Sequence, residues 1–150
     1  MVDDIIDDAQ EELKRVEHLV FVSLKYTRTV DVLKNVLNRM IEAYNYMLKA
    51  LYHHKEDGEP PEAPVKLAQE VRGLYDEDIV AENVDLYLLL RKILRAPNPI
   101  KEEEYRRHVA MKTFIDGKEE VFNIDLAMQY FEQISEFFES IRRDILEQDG

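Results

Sequence analysis

Between Thr29 and His54, apolar side chains recur at three- and four-residue steps: Val30, Leu33, Leu37, Met40, Tyr44, Met47 and Leu51, with Val36, Ile41 and Leu48 widening the stripe. Lys34, Asn38, Arg39, Glu42 and Lys49 fall largely outside it. This spacing predicts an amphipathic helix of roughly seven turns. Thr27 or Thr29 offers a hydroxyl to cap its start, and Glu56-Asp57-Gly58-Glu59-Pro60-Pro61 ends it. Upstream, Ile5, Ala9, Leu13, Val16 and Val20 keep helical spacing, and Asp3, Asp4, Asp7 and Asp8 place negative charge where a helix N-terminus favours it. A first helix is expected over about 3–26. Leu19 to Tyr26 has the β-branched and aromatic content of a strand, but it continues the helical stripe and is assigned to the helix.

The proline-rich stretch 57–64 is too short to separate mobile domains and serves as a turn. Pro64 suits a first helical turn, and Val65, Ala68, Val71, Leu74 and Tyr75 give a third helix. Ile79, Leu86, Leu89, Leu90 and Ile93 give a fourth over 78–95, stopped by Pro97 and Pro99. From Val109 to Ile124 the period falls to two. Asp116-Gly117 is a type I′ turn signal, which sets Ile115 opposite Lys118, Thr113 opposite Glu120, Met111 opposite Phe122 and Val109 opposite Ile124. Asn123 or Asp125 then caps a last helix whose stripe is Ala127, Tyr130, Phe131, Ile134, Phe137, Phe138, Ile141 and Ile145. The expected whole is mainly α, one domain over 1–150, a four- to five-helix bundle with one β-hairpin at about 109–124 before the C-terminal helix.

Composition narrows the function classes. Apolar residues make up 45% of the chain and charged residues 35%, the balance of a folded globular domain. Apolar runs such as Leu19 to Val22 are far short of the roughly 20 residues of a spanning helix. With an acidic start and no cysteine, the chain has no secretory signature and no thiolate chemistry, so a cytoplasmic protein is expected. A net charge of −12 disfavours wholesale nucleic-acid or membrane-surface binding. The average hides a pattern, however: residues 18–55 and 91–118 are mildly basic, and 1–17, 56–90 and 119–150 are acidic. Two basic blocks that met in space would make one cationic cleft on an acidic body.

No Gly-rich phosphate loop, dinucleotide fingerprint, nucleophile elbow, His-Glu-x-x-His or Glu-x-x-His occurs, so no cofactor and no metal site is expected. His53 and His54 are adjacent at a helix end, and His18 lies beside the first stripe, placed for an interior or boundary role. His108 stands out. It follows Glu102-Glu103-Glu104-Tyr105-Arg106-Arg107 and precedes the hairpin, with Arg91, Lys92, Arg95 and Lys101 upstream. Such a set can bind a phosphate or act on a ribose hydroxyl, and the plain alternative pairs the arginines with the three glutamates. Tyr105 and Tyr87 are candidates to stack on a base, or else to rim the core.

The element order resembles a known family. A long helix ending Ala43-Tyr44-Asn45-Tyr46-Met47-Leu48-Lys49-Ala50-Leu51, a shorter one opening Ala63-Pro64-Val65-Lys66-Leu67-Ala68, a helix ending near the Arg/His cluster, and the closing Asp125-Leu126-Ala127-Met128-Gln129-Tyr130-Phe131-Glu132-Gln133-Ile134 are similar, over about 30–147, to the HEPN (higher eukaryotes and prokaryotes nucleotide-binding) bundles. The resemblance implies a four- to five-helix bundle, usually dimeric, acting as a metal-independent RNase or as a non-catalytic partner of nucleotidyltransferases and other RNA- or nucleotide-handling proteins. The RNases carry an Arg, four to six residues, then a His. Before His108 those positions hold Lys101, Glu102 and Glu103, so no catalytic residue transfers. The hairpin is an addition to that bundle.

Three readings follow. The preferred one is a non-catalytic helical interaction module, homodimeric through an apolar helix face or the hairpin edge. The second is a HEPN-like RNA- or nucleotide-binding domain whose cleft gathers Arg91, Arg95, Arg106, Arg107 and His108 beside the basic second helix. The third is a weak RNase with His108 as general acid or base. Expected partners are a second copy, another protein, or RNA or a nucleotide, and no membrane.

Overall fold

The computed structural model describes residues 1–146; the end of the expected single domain, 147–150, lies outside the described residues. It is mainly α, with five helices and a three-stranded antiparallel sheet before the last helix. Helix α1 (Val2–His18) runs on through a π-helical turn, Leu19–Ser23, into a final turn, Leu24–Tyr26. Helices α2 (Val30–Lys55), α3 (Pro64–Leu74) and α4 (Asp78–Arg95) follow. Strands β1 (Ile100–Glu102), β2 (Ala110–Ile115) and β3 (Lys118–Asn123) lead into α5 (Ile124–Ser140), which ends in a second π turn, Ile141–Ile145.

The caps explain the helix starts. Thr29 accepts a hydrogen bond from Val32 N–H at 3.2 Å, and Asn123 accepts one from Leu126 N–H at 2.9 Å. The π turn in α1 answers a spacing problem. Val16, Val20 and Leu24 are all buried, and two steps of four over-rotate a 3.6-residue helix by about 80°. A widened turn removes that excess and keeps Leu24 on the core side, while Phe21 and Val22 are left exposed.

The hairpin register is as the alternation predicts: Ile115 faces Lys118, Thr113 faces Glu120 and Met111 faces Phe122. Asp116 and Gly117 both take positive φ, at 53° and 79°, as a type I′ turn requires. The ladder closes at Ala110 and Asn123, so the expected Val109–Ile124 pair is replaced by a buried Val109 and by the start of α5. The expected lone hairpin is a three-stranded sheet. Ile100, Lys101 and Glu102 pair with Lys112, Met111 and Ala110. Three residues are too few to display a period, and their place is set by the β2 backbone.

Helix α2 is the hub, with Leu33, Leu37, Met40, Tyr44, Met47, Leu48 and Leu51 fully buried. Tyr44 packs edge-on against Tyr87 at 5.7 Å and tilted on Phe137 at 6.2 Å, tying α2 to α4 and α5. Its hydroxyl donates to Asn83 Oδ1 at 2.6 Å, and Asn83 Nδ2 donates to Ile79 O at 2.8 Å. Burial holds the Tyr44 phenol well above its ordinary pKa, so it stays a donor. On the other flank the buried Glu12 carboxylate lies between Arg15 at 2.5 Å and Arg39 at 3.3 Å and fastens α1 to α2. Tyr44→Phe keeps the ring but orphans Asn83 Oδ1, and urea unfolding should show a loss of about 1–3 kcal/mol. A change inside about 0.5 kcal/mol, the range of neutral surface substitutions, would contradict this account of the core.

Candidate functional site

The chain between β1 and β2 winds into two successive turns, closed by Arg106 N–H to Glu103 O at 3.0 Å and Val109 N–H to Arg106 O at 3.1 Å. Glu103 and Tyr105 both lie in the left-handed region, at φ 53° and 66°. Side chains disfavour that region because Cβ crowds the backbone, and a bulky tyrosine there is uncommon. Two long-range bonds hold it. Tyr105 N–H donates to Arg28 O at 2.6 Å, and Val30 N–H donates to Glu104 Oε2 at 3.0 Å. Glu104 thus sits at the positive end of α2 and accepts one of its unsatisfied N–H groups, while Lys101 lies 3.7 Å from its other oxygen. The outcome is an anchored turn that presents Tyr105, Arg106, Arg107 and His108 to solvent.

Beside it lies a cavity of about 270 Å³ lined by Arg28, Arg107, His108, Val109, Asn123, Ile124 and Asp125. Two guanidiniums and an imidazole border it, with the Asp125 carboxylate opposing them. None of the three glutamates forms an ion pair with these arginines among the described residues: Glu102 pairs with Lys112 at 2.7 Å, as Glu119 does at 3.1 Å, Glu104 bonds the start of α2, and the exposed Glu103 enters through its backbone carbonyl alone. Those bonds raise the Lys112 pKa, hydrogen bonding to Glu102 first. Among the described residues no ion pair engages Arg28, Arg106 or Arg107.

Arg91 and Arg95 lie elsewhere. They line a groove of about 600 Å³ between α3, α4 and the hairpin tip, with Lys92, Val65, Leu88 and the 56% exposed Phe114. Arg91 covers the Tyr87 ring at 5.7 Å, and Lys92 reaches Asp116 at 3.4 Å. Burial raises the Tyr87 phenol pKa, with the Arg91 charge working the other way. The expected single cleft is therefore two cationic sites at opposite ends of β2, whose six residues span roughly 17–20 Å. Arg107 and His108 do join the start of α2, through Arg28, whereas Arg106 lines neither cavity. Of the two candidate stacking tyrosines, Tyr87 is buried and donates to Asn45, and Tyr105 is 80% exposed. His18, expected at an interior or boundary position, is exposed. Arg28 and Phe114 were not foreseen as site residues; Phe114 was legible as an outward position of the hairpin alternation.

Comparison with known proteins gives one finding. Residues 92–149 match the model of the UvsY family, described as recombination, repair and ssDNA binding protein UvsY. This part of the chain resembles UvsY. The matched stretch starts in the last turn of α4 and takes in the sheet and α5, so Arg95, Tyr105, Arg106, Arg107 and His108 fall inside it and Arg91 and Arg28 outside. No curated protein and no solved structure matches the chain. No helix among the described residues is long and apolar enough to cross a membrane.

The docking of the turn has a measurable consequence. Glu104→Ala removes the acceptor at Val30 N–H and should cost about 1 kcal/mol in urea unfolding, as the removal of a helix cap does, while Glu104→Gln keeps an acceptor oxygen and most of that stability. Equal stability of wild type and Glu104→Ala would contradict the anchoring.

Proposed function

We propose that the chain is a non-catalytic accessory module that binds single-stranded nucleic acid through the end of the molecule built by the sheet, in recombination or repair. The observation that carries this reading is a coincidence of place: the stretch similar to UvsY contains an exposed tyrosine followed directly by two arginines that have no ion pair among the described residues. Exposed aromatic rings beside unpaired cations are what sequence-tolerant single-strand binding uses, because every base has a face to stack and every linkage carries a negative charge. The net charge of −12 sets a repulsive background for a polyanion, so binding depends on local cations and is salt-sensitive. The HEPN resemblance points to the same ligand chemistry, RNA or a nucleotide.

Anisotropy with a labelled oligo-dT should show binding at about 50 mM salt that weakens steeply by about 200 mM. Arg106→Ala/Arg107→Ala should lower affinity and flatten the salt slope by about 1.4, at about 0.7 for each single-strand phosphate no longer neutralised. No binding at the lower salt, or an unaltered slope in the double variant, would reject the reading.

Pairing with a second copy is also part of the proposal. Phe21, Val22 and Met128 are exposed around Phe131, whose ring meets Phe21 edge-on at 5.6 Å, so α1 and α5 share an apolar patch fit for an isologous seam. Light scattering should give twice the chain mass, reduced to one by Phe21→Glu; a monomeric wild type would refute the pairing.

A further inference from the structure

We infer that the 103–108 turn is a preformed stacking platform, in which the Tyr105 ring receives one nucleobase of a bound strand and the cavity bordered by Arg28, Arg107 and His108 takes an adjoining phosphodiester. This inference rests on the single-strand reading above and names how its site divides the work.

Tyr105 is in the wrong backbone region for its side chain and in the wrong place for a core residue. At φ 66° a glycine would be free of strain, as the chain's own Gly58 and Gly117 are at φ 95° and 79°. The tyrosine ring is 80% exposed and, among the described residues, has no aromatic or cationic partner. The fold therefore holds a strained residue whose ring adds nothing to packing. Strain of this kind persists where surrounding bonds over-determine it, and here they do: the Tyr105 N–H bond to Arg28 O on one side and the Glu104 bond to Val30 N–H on the other. A ring already fixed in place loses little freedom on binding.

The phosphate half follows from connectivity. Arg28 accepts the Tyr105 N–H at its carbonyl and also lines the cavity, and Arg107 and His108 come two and three residues after the ring. At about 270 Å³ the cavity falls below the roughly 300–1,000 Å³ of small-molecule pockets, which suits one phosphodiester and leaves the base outside on Tyr105. Free phosphate or a phosphorylated peptide would satisfy the cations, but neither would use the ring.

The test compares oligo-dT with an abasic strand of equal length at low salt, using the full chain. Wild type should prefer oligo-dT by about tenfold, within the range of one stacked base. Tyr105→Phe should keep that preference. Tyr105→Gly should lose it while its Tm stays equal or rises, since the strain is gone; Tyr105→Asn, also tolerant of the left-handed region, gives the same readout should glycine loosen the turn. Arg28→Ala and Arg107→Ala should weaken both strands alike and leave the preference intact. The platform is overturned if Tyr105→Gly and Tyr105→Asn retain the wild-type preference, or if they lose stability and nothing else. A wild type that binds both strands equally also overturns it and leaves the single-strand reading standing; a wild type that binds neither removes both.

Discussion

Two hydrogen bonds fasten the sheet to the helical body: Tyr105 N–H to the Arg28 carbonyl, and Val30 N–H to the Glu104 carboxylate. They join residues more than seventy positions apart and meet at the first turn of the longest helix. An α-helix begins with N–H groups that have no internal partner, and Glu104 supplies one from outside along with a charge that the helix end favours. Because this carboxylate is committed to α2, it is not available to neutralise Arg106 and Arg107. One contact thus serves the fold, and the adjacent Arg106 and Arg107 are left without an ion pair among the described residues.

The body behind that contact is an acidic bundle organised on α2. Its apolar stripe is covered by α1, α3, α4 and α5, and the polar groups that enter the interior are satisfied in pairs, Tyr44 with Asn83 and Glu12 with Arg15 and Arg39. Buried polar groups left single would cost more than they contribute, so these pairs fix which helix meets which. The net charge of −12 then shapes any encounter with a polyanion. The end carrying the sheet offers guanidiniums that no ion pair engages among the described residues, and long-range repulsion elsewhere narrows the approach to it.

Most of the architecture was legible in the chain because periodicity reports burial directly. The stripe from Val30 to Leu51 gives α2, and Asp116-Gly117 with its flanking alternation gives the hairpin and its register. What escaped was short or long-range. Strand β1 has three residues and no readable period, and the π turn in α1 is visible only as a spacing that slips from seven to eight. The site was half legible. Arg107 and His108 stand where a basic cluster was expected, but Arg91 and Arg95 are carried to the far end of β2, since the sheet intervenes between stretches that are neighbours in sequence. Nothing in Glu103-Glu104-Tyr105 announces two left-handed residues, because their conformation is imposed by Arg28 and Val30.

The central claim is that the anchored turn and the cavity beside it receive a single strand. Amide chemical-shift mapping of the labelled chain, titrated with a short oligo-dT at low salt, tests this most directly. The account predicts shifts concentrated at Arg28, residues 103–109 and 123–126, with the acidic face of α1 unmoved. Shifts confined to the groove of Arg91, Arg95 and Phe114, or scattered without a centre, would contradict it.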